Sequence, residues 1–314
     1  MEFHHLPVLL NECLEGLNIK PGGVYLDCTL GGAGHSSEIY KRLDGGTLIG
    51  IDRDADAIEA ATARMRTIEA PARFIPLRGN FHDAPALLEA ADLASGLDGI
   101  LIDLGVSSHQ LDVRERGFSY HDDAPLDMRM DQSQRLSASE IVNTWTEDEL
   151  NRIFRDYAEE KWARQIARVI CDRRRNGPIE RTSQLVDIID AAIPKKFRQG
   201  DGSHPARRAF QALRIAVNDE LEPLESSLRA LTGLLNPGGR LCVITFHSLE
   251  DRIVKNTFRS LANPCTCPKS FPVCVCGKKP TVKLITRKPI TASPAELAQN
   301  PRSRSASLRI LEKL

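Results

Sequence analysis

The feature that most constrains the fold is an alternation of short apolar segments with helical segments between Val24 and Val106. Strands that alternate with helices of about ten or more residues form crossover units and a parallel sheet. We therefore predict a doubly wound α/β sheet with its ligand at the carboxyl ends of the strands. The predicted strands are VYLDCTL, GTLIGID, RFIPLRGNF and LDGILIDLGV, and the predicted helices between them are SSEIYKRL, DADAIEAATARMRTI and APALLEAADLA.

The alternation stops after Val106 and resumes near residue 240. The sequence from about Arg114 to His204 is highly charged and has the pattern of helices. It is followed by FQALRIAVNDELEPLESSLRALTGLL, which predicts one long helix, by the turn NPGGR, and by a fifth strand, LCVITF. We predict an inserted all-helical domain over residues 113–206, interrupting an α/β domain made of residues 1–112 and 207–314. TVKLITRKPI and SASLRILEKL predict an antiparallel pair at the sheet edge.

Composition restricts the classes of partner. The 314 residues contain 42 basic and 42 acidic side chains, which argues against a general nucleic-acid binder. Charge is nevertheless segregated: residues 112–160 are acidic overall, and residues 161–214 are basic overall and could meet phosphate. No secretory signal or segment of membrane-spanning length is present, and the eight cysteines are expected to be reduced thiols. These features predict a cytoplasmic protein.

A glycine turn follows the first predicted strand. GGAGHS matches the dinucleotide pattern GxGxxG only with serine in the final position, and the phosphate-loop pattern GxxxxGK[ST] is absent. Asp52, about 20 residues further on, could accept both hydroxyls of a ribose or cap the next helix. This arrangement serves a nicotinamide dinucleotide as well as S-adenosylmethionine. Asp103, at the end of the fourth strand before a small polar loop, favours the methyl donor.

Longer motifs follow one another along the whole chain, and together they resemble the RsmH (MraW) family of bacterial methyltransferases that act on small-subunit ribosomal RNA. The motifs are HLPVLLNECLEGL, LDCTLGGAGHS, GIDRD, LIDLGVSSHQLD, RGFSY, PLDMRMD, HPARRAFQALRIAVNDEL, LNPGGRLCVITFHSLEDRIVK and NPRSRSASLR. The resemblance extends from the first ten residues to the last ten.

The resemblance implies a class I (Rossmann-like) methyltransferase fold with an inserted helical domain. It implies that S-adenosyl-L-methionine methylates the exocyclic N4 of one cytidine in the decoding region of 16S ribosomal RNA. The partner would be that RNA within the small ribosomal subunit or its precursor, with no DNA and no membrane. The implied catalytic residues are Asp103 and His247, and the implied cofactor-binding residues are Ala33, Gly34, His35, Asp52, Phe81, Asp103 and Gln110.

Several roles have two interpretations. Asp103 could accept a hydrogen bond from the cytosine amine or bind the amino-acid end of the donor. His247 could orient the base, take up its proton, or only hydrogen-bond the backbone. Glu250, Asp251 and Arg252 are expected to form ion pairs that fix the loop. The best candidates for phosphate contacts are Arg207, Arg208, Arg214 and the segment CDRRRNG.

Three other functions compete with this one. A DNA N4-cytosine or N6-adenine methyltransferase would usually have a proline-proline-aromatic motif where this chain has DLGVSS. An assembly factor could bind donor and RNA without turnover, and the glycine turn and the two acids argue against it. A nicotinamide oxidoreductase would need a proton donor beside a hydride-accepting substrate, and no such pair stands out.

Four cysteines near the end, Cys265, Cys267, Cys274 and Cys276, form two CxC pairs. Four thiolates can hold zinc tetrahedrally, but this spacing is tighter than the usual gap of two to four residues. Zinc and four free thiols are both compatible with the sequence. No metal is predicted among the catalytic and cofactor-binding residues.

Overall fold

The computed structural model describes residues 6–93, 96–197, 204–268, 271 and 273–314. The chain divides into two compact units. One combines Met1–Gly105 with Leu221–Leu314, and the other is Val106–Glu220. The domain boundaries predicted from the sequence lie at 112/113 and 206/207. The helical unit of the structure therefore begins earlier and ends later than predicted.

A single seven-stranded sheet forms the centre of the first unit, with the order β3-β2-β1-β4-β5-β7-β6. Strands β1 to β5 are parallel, and β7 is antiparallel to both β5 and β6. The predicted doubly wound sheet and the predicted antiparallel pair at its edge are confirmed. The strands are β1 (Val24–Asp27), β2 (Thr47–Asp52), β3 (Arg73–Arg78), β4 (Leu97–Asp103), β5 (Leu235–Thr245), β6 (Val282–Leu284) and β7 (Ser307–Lys313).

Helices lie between the strands of the first unit and make up most of the second. Their bounds are α1 (Leu10–Leu17), α2 (Gly34–Tyr40), α3 (Ala55–Met65), α4 (Ala84–Ala90), α5 (Ser108–Asp112), α6 (Ala138–Thr144), α7 (Glu147–Asp156), α8 (Ala163–Arg173), α9 (Thr182–Ala192), α10 (Ala206–Asn218), α11 (Leu224–Leu234), α12 (Ser248–Ala262) and α13 (Pro294–Gln299). Within the described part of the chain, none of them is long and apolar enough to cross a membrane.

The predicted long helix after residue 209 is wrong, because the structure has two helices there. Helix α10 ends at Asp219, which adopts a left-handed backbone conformation with φ 49°, and α11 begins after Pro223. Proline disfavours helical geometry in the residue before it and has no N–H to donate. Six of the buried side chains of α10 belong to the core of the helical unit, which is why that unit extends to Glu220.

The predicted NPGGR turn is part of β5 in the structure. Leu235 pairs with Leu97, but the next pair is Arg240 with Gly99, so the strand bulges between them. Gly238 has φ 81° there, a conformation that glycine adopts without steric cost. From Arg240 onward β5 is regular, and its buried residues lie against β4 and β7.

Candidate active site

The glycine turn connects the end of β1 to the start of α2. Ala33 is the N-cap of α2 and has φ 57° and ψ 34°, a left-handed conformation that costs a non-glycine residue about 1–2 kcal/mol. Gly31 also has a positive φ, 49°. A Cβ on Gly34 would lie 2.8 Å from Cγ of Pro7, so packing against Pro7 requires glycine at this position. Strained backbone of this kind is concentrated at functional sites.

Asp52, at the end of β2, is bonded to the glycine turn. Its Oδ2 accepts the Gly31 N–H at 2.7 Å, and its Oδ1 accepts the Asp54 N–H at 2.9 Å. Burial raises the pKa of Asp52 to about 6, although both backbone donors oppose that shift. The cap of the following helix is Asp54, which accepts the Asp56 N–H. Asp52 is therefore not the helix cap, and each of its oxygens retains a lone pair for a ligand.

His35 and Asp103 face each other across the carboxyl ends of β1 and β4. His35 is buried, its Nε2 lies 2.9 Å from the Val8 carbonyl oxygen, and burial lowers its pKa to about 4. The ring is therefore neutral at pH 7, and because Nε2 must donate to the carbonyl, Nδ1 is an acceptor. Nδ1 lies 3.8 Å from Asp103 Oδ2. Asp103 Oδ1 is buried and has no hydrogen-bond partner.

Two further buried carboxylates accompany Asp103, and sequence reasoning did not select either of them for the site. Asp27 ends β1 and accepts hydrogen bonds from Ser36 Oγ at 2.7 Å and from the Thr29 N–H at 3.1 Å. Glu250, in the first turn of α12, accepts the Phe246 N–H at 2.7 Å. Burial raises the pKa of Asp103 well above its usual value, and the charges of Asp27 and Glu250 raise it further. An acid directly before a glycine turn was the signal available for Asp27.

His247 is the N-cap of α12, and its ring contacts its own helix. Nδ1 lies 3.5 Å from the Glu250 backbone nitrogen, and Nε2 lies 3.0 Å from Glu250 Oε1. The Nδ1 contact matches the interpretation in which His247 hydrogen-bonds the backbone, whereas Nε2 is buried and makes no hydrogen bond with the described residues. A catalytic role for His247 stays a prediction. Asp251 pairs with Arg309 of β7 at 2.6 and 2.9 Å, as expected of a residue that fixes this region.

Two other predicted cofactor residues have local structural roles. Phe81 begins a short 3-10 helix after β3, and its side chain is buried in the core of the first unit. Gln110 belongs to the helical unit, where it forms a capping box with Ser107 on α5. Contact of either residue with an adenine or a donor stays a prediction.

Acceptors predominate at the carboxyl ends of β1, β2 and β4. Three carboxylates lie close enough to influence one another, the neighbouring imidazole is neutral, and one carboxylate oxygen has no donor. Such an arrangement is relieved by a ligand with N–H donors or positive charge, and it repels an anion. The site therefore suits a cationic ligand better than a pyrophosphate.

The sheet order and these strand ends define the class: a Rossmann-like α/β domain of the methyltransferase type, with a separate helical unit in its sequence. The chain belongs to the MraW methylase family, whose model matches residues 2–314. Three similar relatives are each named "Ribosomal RNA small subunit methyltransferase H". Those of Clostridioides difficile and Symbiobacterium thermophilum are both 55% identical to this chain, and that of Ruminiclostridium cellulolyticum is 53% identical. The alignments cover 100% of this chain and 98–100% of the relatives.

Proposed function

We propose that this protein methylates the exocyclic N4 of a cytidine in the 16S ribosomal RNA of the small subunit, using S-adenosyl-L-methionine. The names of the relatives support the RNA and the subunit, and their identity of 53–55% over the full chain supports carrying that function over. The base specificity rests on the resemblance of the sequence motifs to the family and on the chemistry of Asp103.

The observation that carries the choice of donor is the buried Asp103 Oδ1 without a partner, in an acid-rich site. S-adenosylmethionine presents a sulfonium and an ammonium group, both of which lower the electrostatic cost of these carboxylates. A nicotinamide dinucleotide would instead bring the negative charges of its pyrophosphate. Asp52 provides lone pairs for the two ribose hydroxyls of the donor. The residues present therefore fit the methyl donor.

Asp103 is the group we assign to the target amine. The cytosine amine is a weak nucleophile, because its lone pair is delocalised into the ring. When bound, the donor would supply an electrophilic methyl group for transfer to N4, with S-adenosylhomocysteine as the leaving group. In its ionised form, which the positive charge of the bound donor would favour, Asp103 accepts a hydrogen bond from N4 and then its proton. A raised pKa makes that ionised form a stronger base. Acid–base assistance of this kind typically contributes about 10²–10⁴-fold to the rate.

Arg207 is the residue we assign to RNA phosphate. It is exposed at the start of α10, whereas Arg214 on the same helix forms a bidentate pair with Glu220 at 2.8 and 2.9 Å and is mostly buried. Arg207→Ala should raise the RNA concentration needed for half-maximal rate and reduce the salt slope of RNA binding by about one. Donor affinity should stay unchanged. The control is Arg229→Ala, which removes an exposed arginine paired with Glu225 on α11. Equal effects of the two changes would contradict this role.

The function is tested by incubating small subunits from a strain that lacks the protein with donor labelled on the methyl group. The RNA is digested to nucleosides, and we expect the label in N4-methylcytidine. Free 16S RNA, assayed in parallel, shows whether the subunit is required. Label on a ring carbon or on a ribose oxygen would overturn the proposed chemistry, and no label in the presence of bound donor would favour a non-catalytic assembly factor.

A further inference from the structure

The four cysteines of the two CxC pairs converge in space. Cys265, Cys267, Cys274 and Cys276 lie in the connection between α12 and β6, and their Sγ atoms are all within 4.8 Å of one another. Cys274 Sγ lies 3.5 Å from Cys265 Sγ, 3.8 Å from Cys267 Sγ and 3.4 Å from Cys276 Sγ. We name these four residues the thiol cluster.

These separations match a tetrahedral metal site. Zinc–sulfur bonds are about 2.3 Å long, which places the sulfurs of a tetrahedral site about 3.8 Å apart. A disulfide would need about 2.05 Å, and all four cysteines are free thiols. The tight CxC spacing does not prevent this arrangement. Each CxC pair supplies two sulfurs, and the sulfurs of the two pairs lie close to one another.

In its described residues, the connection that holds the thiol cluster has few contacts of other kinds, such as the backbone hydrogen bond from the Thr281 N–H to the Leu261 carbonyl. Residues 263–281 contain no helix or strand where they are described, and none of those described side chains is buried. Val273 and Val275 are 70% and 72% exposed, so they do not form a local core. Connections longer than about 12–15 residues without secondary structure are uncommon in compact domains. Small segments that lack a core are usually held by cross-links or metals.

A backbone amide donates to one sulfur of the thiol cluster. The Val275 N–H donates to Cys267 Sγ at 3.3 Å. Donors of this kind stabilise the thiolate form that binds metal and orient the ligands. Gly277, directly after the last ligand, has φ 65°, a left-handed backbone conformation that glycine adopts without steric cost. The cationic side chains of Lys278 and Lys279 follow the last ligand and offset the net negative charge of a metal bound by four thiolates.

We propose that the thiol cluster binds one Zn²⁺ ion, which holds the connection between α12 and β6 in place. Four protein ligands close the coordination sphere and leave no position for water or substrate, so the ion is structural. Its four ligands are not among the residues of the acid-rich strand ends, and the proposal does not depend on the proposed methylation.

The first test measures metal in protein purified under reducing conditions from zinc-supplemented cells. We expect about one zinc ion per chain and no iron, the other metal that four thiolates commonly bind. Cys267→Ser and Cys274→Ser should each lose the zinc. Cys171→Ser, which changes a partly buried cysteine of α8, should retain it. Zinc equal in all variants, iron in its place, or metal-free protein that takes up no added zinc would overturn the proposal.

Two further measurements hold even if a cysteine variant fails to fold. Cobalt substituted into the unaltered protein should give the intense visible absorption of a tetrahedral thiolate site, and a pale octahedral spectrum would contradict the ligand set. Removal of zinc by a chelator should speed tryptic cleavage after Lys278 by about tenfold or more, because the connection then opens locally. Equal cleavage rates with and without zinc would show that the ion does not hold the connection.

Discussion

At the scale of single residues, the site contains three carboxyl groups and one imidazole whose charged forms are disfavoured by burial. Asp103, Asp27 and Asp52 all have raised pKa values, in each case chiefly because burial penalises the charged form. His35 has a lowered pKa for the same reason. Groups perturbed in this way at the ends of strands are typical of functional sites. Two experiments follow from them.

Asp103→Asn should abolish most of the methyl transfer. The amide keeps the size of the side chain but removes the charge and cannot take up a proton, so we expect turnover to fall by about 10²-fold or more. Single-turnover rates with saturating donor and RNA measure this. If Asp103 acts only on the amino-acid end of the donor, the variant will lose donor affinity and keep its rate at saturation, which would contradict its assignment to N4.

Donor binding should weaken as the pH falls below about 6. Ribose hydroxyls donate hydrogen bonds to the ionised form of Asp52. Because the pKa of Asp52 is about 6 in the free protein, Asp52 must release a proton when the donor binds below this pH. The affinity for S-adenosylhomocysteine should then fall by at most about tenfold per pH unit. Calorimetry between pH 5 and 8, in an Asp103→Asn background, isolates this effect. A slope that persists in Asp52→Asn would assign it to another group.

Sequence reasoning reached some residues of the site and missed others for identifiable reasons. Asp52 and Asp103 end predicted strands, so strand periodicity located them. Asp27 also ends a strand and precedes the glycine turn, but its hydrogen bond with Ser36 forms only when α2 packs against β1, which local periodicity does not show. The left-handed conformation of Ala33 could not be predicted, since alanine has no preference for it.

At the scale of elements, a hydrogen bond joins α2 to β1 behind the glycine turn. Ser36 is fully buried, and its hydroxyl donates to Asp27. The adjacent Ser37 is equally buried, but its hydroxyl donates to the Gly34 carbonyl within the same turn of helix. The two neighbouring serines therefore form a matched pair for separating the inter-element bond from helix packing.

Ser36→Ala should destabilise the protein by about 1–3 kcal/mol at pH 8, because it leaves a buried carboxylate with one donor fewer. The pKa of Asp27 is already raised, so folding favours its neutral form and the stability from that proton is lost as the pH rises through the folded pKa. The cost of the variant should accordingly shrink toward acid pH. Urea unfolding at several pH values measures it. Ser37→Ala should cost less and show no such pH dependence; identical profiles would refute the argument.

Most elements were predictable because their patterns are local. The four N-terminal strands and the edge pair show the periodicity of strands, and the structure has them. Asp219 and Pro223 divide the predicted long helix. The proline indicates a helix boundary in the sequence, but the apolar periodicity continues across it and favours one helix. The unit boundaries differ from the predicted ones because α10 packs into the core of the helical unit. This packing joins elements that are distant in sequence, so local patterns do not reveal it.

At the scale of the whole molecule, the helical unit has a core of its own. The buried apolar residues of that core all come from the segment between Phe118 and Val217. We expect residues 106–220 alone to unfold cooperatively, with a free energy of unfolding of about 5–10 kcal/mol. Urea titration followed by circular dichroism tests this. Residues 113–206 are the control, since that fragment lacks most of α10 and should not unfold cooperatively; equal stability of the two would contradict the structural boundary.

The pairing of β4 with β5 has a consequence for how the polypeptide acquires its shape. These strands are neighbours in the sheet, but the whole segment between Asp103 and Leu235 separates them in the sequence. Their pairing therefore closes a long loop. Loop-closure entropy grows with the length of flexible chain, by about 0.6 kcal/mol for each doubling. Early collapse of the intervening helices would shorten the flexible connection between the two strands. We therefore expect the helical segment, whose described residues form no strand of the sheet, to fold before β4 and β5 pair.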